Sequence, residues 1–391
     1  MSSALAITPS LFETIQSQAL TLGFDHIAVT EPHISEKDQQ AYSSWVQAGL
    51  PFGLEYMGRN VENRIHPANR YPGLQSVMTV GVSYYQGPFP EKPGAAFGKV
   101  ARYAWGLDYH EVIYNRLQEL LKLINELLDG GGHAILAVDT KPILERAIAS
   151  SAGMGFVGKN TVFIIPRSSK GFHVGSYVFL GEILLDLPLE GLGVPPSETT
   201  GCGGCTRCLT ACPTDAFEKP YRLLAERCIA YLTIENKGWI SREMRPLIGD
   251  WLFGCDVCQD VCPFNARVYE TRWPEFKADQ GVGAWVSLQE IFSLSDDHLF
   301  KEKFKNTPFS RPKRKGLLRN ACVVAGNSQD ESLIPNLKIL LEDVEPVVRG
   351  HALWALSRLM NDPAARELAS KQLAVEQDEA VRRECRDVLD P

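Results

Sequence analysis

The apolar positions of the first 190 or so residues change period several times. Residues 9–23 repeat them three and four apart, as an amphipathic helix does, and the short run HIAVT that follows is apolar and β-branched, as a strand is. SVMTVGVSYY (76–85) predicts a second strand, HEVIYNRLQELLKLINELL (110–128) a long helix, AILAVD a strand and PILERAIASSAG (142–153) a helix. TVFIIP and SYVFLGEILL predict two more strands, which should pair with each other. The region reads as α/β, and the hairpin-like pairing at its end argues against a purely parallel, doubly wound sheet.

A Gly/Pro/Ser-rich stretch, EGLGVPPSETTGCGG, marks a boundary. Regularity falls after Pro263 until about residue 310, and from there the chain is helical and repeats. Residues 319–327 (RNACVVAGN) match 349–357 (RGHALWALS), and a third helix at 380–389 follows at a similar interval. Such a period predicts a short HEAT-like solenoid, whose units stack to bury their apolar faces. The chain is therefore an α+β multidomain protein, divided into an α/β domain (1–192), a cysteine-rich ferredoxin-like insert (193–270), a connecting segment (271–310) and helical repeats (311–391).

Composition narrows the class. A chain of 391 residues with 45% hydrophobic and 22% charged side chains has room for several ordinary globular cores. No stretch approaches the roughly 20 apolar residues of a membrane helix, and the start, MSSALAITPSLFETIQSQAL, has no basic export region. No membrane association and a cytoplasmic location are expected. A net charge of −7 argues against indiscriminate nucleic-acid binding but leaves room for a local basic patch.

Eight of the ten cysteines fall within 202–262. Cys202, Cys205, Cys208 and Cys212, followed by Pro213, have the bacterial ferredoxin spacing, in which the cysteine before proline ligates the other cluster. The partner run is Cys255, Cys258 and Cys262 before Pro263, and it lacks one ligand because Leu252 stands three before Cys255. Cys228 supplies it. One 4Fe–4S cluster is thus assigned to Cys202, Cys205, Cys208 and Cys262, the other to Cys212, Cys228, Cys255 and Cys258. Zinc sites take paired C-x2-C ligands rather than three stacked, and disulfide frameworks belong to short secreted chains. Cys322 and Cys385, in helical patterns, read as buried apolar residues.

Other motifs are weaker. GMGFVG (153–158) matches GxGxxG but follows a helix and opens a strand, the reverse of a dinucleotide site, so it reads as a turn with close backbone approach. The triple glycine at 130–132 reads as a turn. Asp139, ahead of Thr-Lys-Pro and a helix, is either an N-cap or an acid at the edge of a sheet. Arg311, Lys313, Arg314, Lys315 and Arg319 form a basic run at the start of the first repeat helix, either a solvated face or a phosphate-binding patch.

The motifs ENRIHP, RYAWGLDYH, VDTKPILERA, AGMGFVGKN, GSYVFLGE, CGGCTRCLTACPTDAF, CIAYLTIENKG and GCDVCQDVCPFN, with the helical tail, resemble the epoxyqueuosine reductase family over essentially the whole chain. The resemblance implies a cobalamin-binding domain, a dicluster insert and a HEAT-like tail. The implied activity is reduction of epoxyqueuosine to queuosine in a tRNA anticodon loop, with reduced cobalamin fed by two clusters and an external low-potential donor, in a monomer. Asp139 matches the family's proton donor, which implies a carboxyl raised by burial. Cobalamin contacts carry over to Arg64, Ala101, Asp139, Phe163, Leu180, Ala230 and Asp256, and tRNA-associated positions to Glu235 and Lys237. Asp108-Tyr-His110 is not a cobalt-ligating DxHxxG motif, since Ile113 stands where glycine is needed. A reductive dehalogenase shares the cofactors but is typically exported through a twin-arginine signal, and no such pair stands at this N-terminus. A dicluster electron carrier is the non-enzymatic alternative.

Overall fold

The computed structural model describes residues 5–128, 132–166, 174–193 and 201–390. The chain divides into two compact units: residues 1–87, 108–225 and 257–277 form the first, and 88–107, 226–256 and 278–391 the second. Gly130, Gly131 and much of the glycine- and proline-rich stretch lie outside the described residues.

The first unit is built on α1 (Pro9–Thr21), β1 (His26–Thr30), β2 (Ser76–Ser83), α2 (Tyr109–Leu127), β3 (Ala134–Ala137), α3 (Glu145–Ser151), the short pair β4 (Phe156–Val157) and β5 (Phe163–Ile164), and β6 (Val178–Leu185). Its main sheet runs β1-β2-β6-β3 with every strand pairing antiparallel, so among the described residues this sheet has no parallel strand pair of the kind an α/β reading implies. Nor do 161–166 and 176–185 pair as strands. β5 closes a hairpin with β4, and β6 inserts between β2 and β3; a bridge joins Ile165 to Gly175, the residue just ahead of the second stretch. All eight residues of β2 are buried, as a strand covered on both faces must be.

Each helix is placed by its apolar stripe. Thr8 caps α1, with Pro9 in its first turn. Asp108 caps α2, whose Ile113, Leu117, Leu120 and Ile124 are buried at helical spacing. A Cβ at Gly181 would stand 3.0 Å from Ile113 Cγ2, so glycine lets α2 close on the sheet. On the other face, Ile148 and Ala147 of α3 pack with Val77, Ala137 and Leu184. Burial of each large aliphatic side chain contributes about 1.5–3 kcal/mol.

The GxGxxG stretch follows α3 and contains β4, as its order in the sequence requires. A Cβ at Gly155 would meet the Ile164 carbonyl oxygen at 2.2 Å, which makes glycine obligatory there.

The second unit holds a three-stranded sheet in the order Trp251–Phe253, Phe97–Val100, Trp285–Ser287, and helices α4 (Lys313–Ser328), α5 (Ile334–Ile339), α6 (Pro346–Leu359), α7 (Asp362–Val375) and α8 (Glu379–Leu389). The stretch before α4 carries helices Leu288–Phe292 and Asp297–Lys303, more regular than its composition suggests. The repeat-matched segments fall in α4 and α6. A Cβ at Gly326 would lie 2.5 Å from Trp354 Cζ3, so the two helices pack tightly at that glycine.

Two residues of the expected basic patch are core residues. Arg319 is fully buried and donates to the carbonyl oxygens of Asn236, Gly238 and Leu232, each at 2.7 Å. Arg314, 5% exposed, donates to Leu294 O at 2.8 Å and pairs with Asp343. α4 is enclosed nearly all round, so cations on its inner faces cross-link the unit and do not meet solvent.

Candidate active site and cysteine cluster

Asp139 follows β3 in a left-handed conformation, φ 51°, and does not cap α3, whose N-cap is Leu144. The N-cap reading therefore fails. Its carboxylate, 66% exposed, accepts from Tyr109 Oη at 3.0 Å and lies 3.8 Å from His110 Nε2. Both partners come from the first turn of α2. Tyr109 is itself stacked on Phe179 of β6, ring centroids 4.3 Å apart and 6° from parallel. His110 stacks on Tyr109 at 4.0 Å, and its Nδ1 lies 2.7 Å from Asp108 Oδ1.

The charges here differ from those of a buried, neutral acid. Partial burial pushes the Asp139 carboxyl up, but hydrogen bonds from His110 and Tyr109, with the charges of His110 and Arg146, outweigh it and hold the group below its ordinary range. The expectation of a raised Asp139 is thus reversed. Burial pulls His110 down, yet Asp108 and Asp139 overcome it and raise the imidazole to about 9. At neutral pH the proton sits on histidine, between two carboxylates.

Behind this pair, Glu145 Oε1 accepts the Asp139 N–H at 2.6 Å. Burial and the Asp139 charge push Glu145 up to about 8. Glu182, at the centre of β6 and fully buried, is pushed well up by burial and by Glu145. Arg146 of α3 donates to the Thr161 carbonyl. Sequence reading missed Tyr109, Glu145, Arg146 and Glu182. The first three stand inside RYAWGLDYH and VDTKPILERA, and Glu182 is an acid in an otherwise apolar strand.

The cysteines of the first assigned cluster gather within the first unit. Burial raises the Cys262 thiol, and the neighbouring Cys202, Cys208 and Cys205 raise it further; Cys208 is raised by burial and by Cys202 and Cys205 in the same way. Four unpaired thiols that repel one another as thiolates suit a cationic iron core. Lys159 and Asn160 tie the cysteine stretches to the β4–β5 hairpin. Lys159 N–H points at Cys202 Sγ at 3.4 Å, its Nζ donates to Gly203 O and Cys205 O at 2.7 and 2.9 Å, and Asn160 Nδ2 reaches Cys258 O at 3.4 Å. The Ala216 N–H is 3.4 Å from Cys212 Sγ. Hydrogen bonds of this kind to cluster sulfurs raise the reduction potential by stabilising negative charge.

The other expected contact residues fall in two groups. In the first unit, Phe163 and Leu180 share one hydrophobic cluster, and Arg64 donates Nη2 to Tyr56 O at 3.1 Å while its Nε is buried with no partner among the described residues. In the second unit, Ala101, Ala230 and Asp256 converge around residues 253–256. Ala101 N–H donates to Phe253 O at 2.9 Å, Arg102 N–H to Asp256 Oδ2 at 2.9 Å, and Gly254 N–H to the Oγ1 of Thr233, which in turn reaches Ala230 O. Cys228 belongs here too, its carbonyl accepting Leu232 N–H at 2.9 Å. Exposed Lys237, Arg311 and Lys313 form the surviving basic patch, with Glu235 pairing Arg311 at 2.7 Å. Lys237 Nζ donates to Arg311 O at 2.9 Å. Lys315, half-buried, pairs with Glu345.

Residues 64–140 match the family described as epoxyqueuosine reductase QueG, 201–265 the 4Fe–4S double cluster binding domain, and 313–390 HEAT repeats. Epoxyqueuosine reductase from Pseudomonas aeruginosa is 37% identical over 89% of this chain and 94% of its own length, and that from Bacillus subtilis 34% over 96% and 94%. A crystal structure of epoxyqueuosine reductase with an epoxyqueuosine-modified tRNA-Tyr stem loop superposes with a TM-score of 0.85 at 32% identity, covering 97% of this chain and 98% of that one. The Bacillus subtilis enzyme, TM-score 0.84 at 30% identity and the same coverage, has been solved with its catalytic aspartate loop swung out of the active site. With motifs, fold and cysteine spacing agreeing along its length, this chain belongs to the epoxyqueuosine reductase family.

Proposed function

We propose that this protein reduces epoxyqueuosine to queuosine at the wobble position of tRNA, removing the epoxide oxygen as water. The step consumes two electrons and two protons: two C–O bonds break, an alkene forms, and the oxygen leaves with both protons. The observation that carries this reading is the Asp139 carboxylate held by Tyr109 and by a histidine protonated at neutral pH. It sets a proton source and its carrier at one edge of the sheet. Opening an epoxide leaves an alkoxide, and a positioned acid that neutralises it removes the largest developing charge. In this scheme Asp139 relays to the leaving oxygen a proton that His110 replaces, and Asp108 keeps the imidazole oriented.

The donor set suits cobalamin: the orphaned Arg64 Nε fits a corrin carboxamide, and Phe163 and Leu180 offer an apolar wall. Arg64, Phe163 and Leu180, with Ala101, Ala230 and Asp256, would hold it. When bound, reduced cobalamin supplies the electron pair that single-electron clusters cannot deliver at once. Cys202, Cys205, Cys208 and Cys262 ligate one cluster, and Cys212, Cys228, Cys255 and Cys258 the other, charged by an external low-potential donor. Lys237, Arg311, Lys313 and Lys315 contact anticodon-stem phosphates, with Glu235 orienting Arg311. Among the described residues no helix is long and apolar enough to cross a membrane, and we place the protein in the cytoplasm as a monomer.

The test is anaerobic incubation of the reconstituted protein with cobalamin, a low-potential reductant and epoxyqueuosine-containing tRNA. Queuosine is expected; its absence with clusters and cobalamin present refutes the assignment.

A further inference from the structure

Glu145 and Glu182 are acids that the proton scheme above does not use. Glu182 stands where an apolar residue would serve packing best. It is fully buried at the centre of the sheet, in register with Thr79 on one side and Ala137 on the other. Among the described residues no N–H or O–H group donates to either of its oxygens, and the Thr79 hydroxyl beside it is equally unpartnered. Glu145 approaches it from the first turn of α3. Two carboxylates in such a place cannot both ionise, so the pair holds one proton. Glu182 is the more deeply buried of the two, and burial with the nearby Glu145 pushes its carboxyl well up. Glu145 Oε1, in turn, accepts the Asp139 N–H at 2.6 Å. At φ 51° Asp139 occupies the left-handed region, which costs a residue with a side chain free energy although aspartate tolerates it better than most, so a backbone hydrogen bond can decide its occupancy.

We propose that Glu145 is a positioning residue: it latches the Asp139 backbone in its left-handed conformation and so presents the carboxylate to Tyr109 and His110. The effect on turnover rests on the role given to Asp139 above, whereas the latch itself does not.

Amide hydrogen exchange at Asp139, read in the full-length protein with its clusters but without tRNA, tests the latch directly. Glu145→Ala is expected to speed exchange several-fold, up to about tenfold, the loss of one hydrogen bond of about 0.5–1.5 kcal/mol. Glu145→Gln keeps an acceptor oxygen and should keep the protection. In turnover, Glu145→Ala should lower kcat about tenfold or more with KM for tRNA within about twofold, since the latch touches no substrate. Wild-type exchange at Asp139 in Glu145→Ala overturns the proposal. Should the wild-type protein form no queuosine while these variants shift exchange as stated, the functional reading falls and the latch stands.

Discussion

Asp108 caps the helix that carries His110 and also holds that histidine, Oδ1 lying 2.7 Å from its Nδ1. One carboxylate thus fixes both the backbone and the ring of the residue two positions on. The other ring nitrogen faces Asp139.

His110 makes stability and turnover depend on alkaline pH. Its folded-state value, about 9, lies above the ordinary 6.5. The stabilisation is therefore complete below about 6.5 and is lost as pH rises through about 9. With the side chain 35% exposed, screening leaves on the order of 1 kcal/mol. Denaturant titrations at pH 6.5 and 9.5 should show this difference in the wild type and not in His110→Asn, and the wild-type rate should fall along an alkaline limb near 9.

Replacing Asp139 by Asn keeps its shape and removes its proton chemistry. Turnover should drop at least about a hundredfold while iron content and cobalamin absorbance stay at wild-type levels. Full activity in this variant would remove the acid role.

Tyr109→Phe preserves the stack on Phe179 and deletes the hydrogen bond to Asp139. The expected loss is about 1.5–3 kcal/mol of stabilisation of the carboxylate, read as a tenfold or greater fall in kcat and an upward move of the Asp139 titration.

Cys262→Ala and Cys228→Ala should each remove one cluster, leaving about half the iron, but different halves. Spectroscopy of the remaining centre distinguishes them; two variants that leave the same centre would break the crossed ligand assignment.

Arg319 and Lys313 sit six residues apart in one basic run and should behave oppositely. Arg319→Ala strands three carbonyls that the guanidinium satisfies and empties a fully buried site, so it should cost roughly 3–5 kcal/mol, visible as a large fall in Tm. Lys313→Ala should leave Tm alone and reduce the salt dependence of tRNA binding by about one counterion.

These contrasts mark what could be read from sequence. The cysteine runs were legible because cluster ligation imposes short local separations on the chain. The helices 110–128 and 380–389 were legible because their apolar stripes repeat at helical spacing, and so was the turn role of Gly155. Other features depend on the order of strands. Nothing local places β6 between β2 and β3, so the meeting of Glu182 with Glu145, 37 positions earlier, cannot be inferred from pattern. A charged run likewise does not declare which of its members turn inward: Arg314 and Arg319 look like Lys313 and Lys315 until α4 is enclosed on nearly every side. Asp139 looked like a cap because Thr-Lys-Pro follows it, whereas α3 begins only at Glu145.

The close approach of Gly155 to the Ile164 carbonyl ties metal loading to a hairpin that contains no cysteine. Any side chain at 155 pushes β4 off β5, and Lys159 and Asn160, in the turn between them, move with it and release Cys202, Gly203, Cys205 and Cys258. A substitution there would surface in an expression screen as colourless, iron-poor protein, and the defect would be mistaken for one of cluster assembly although every thiol is intact.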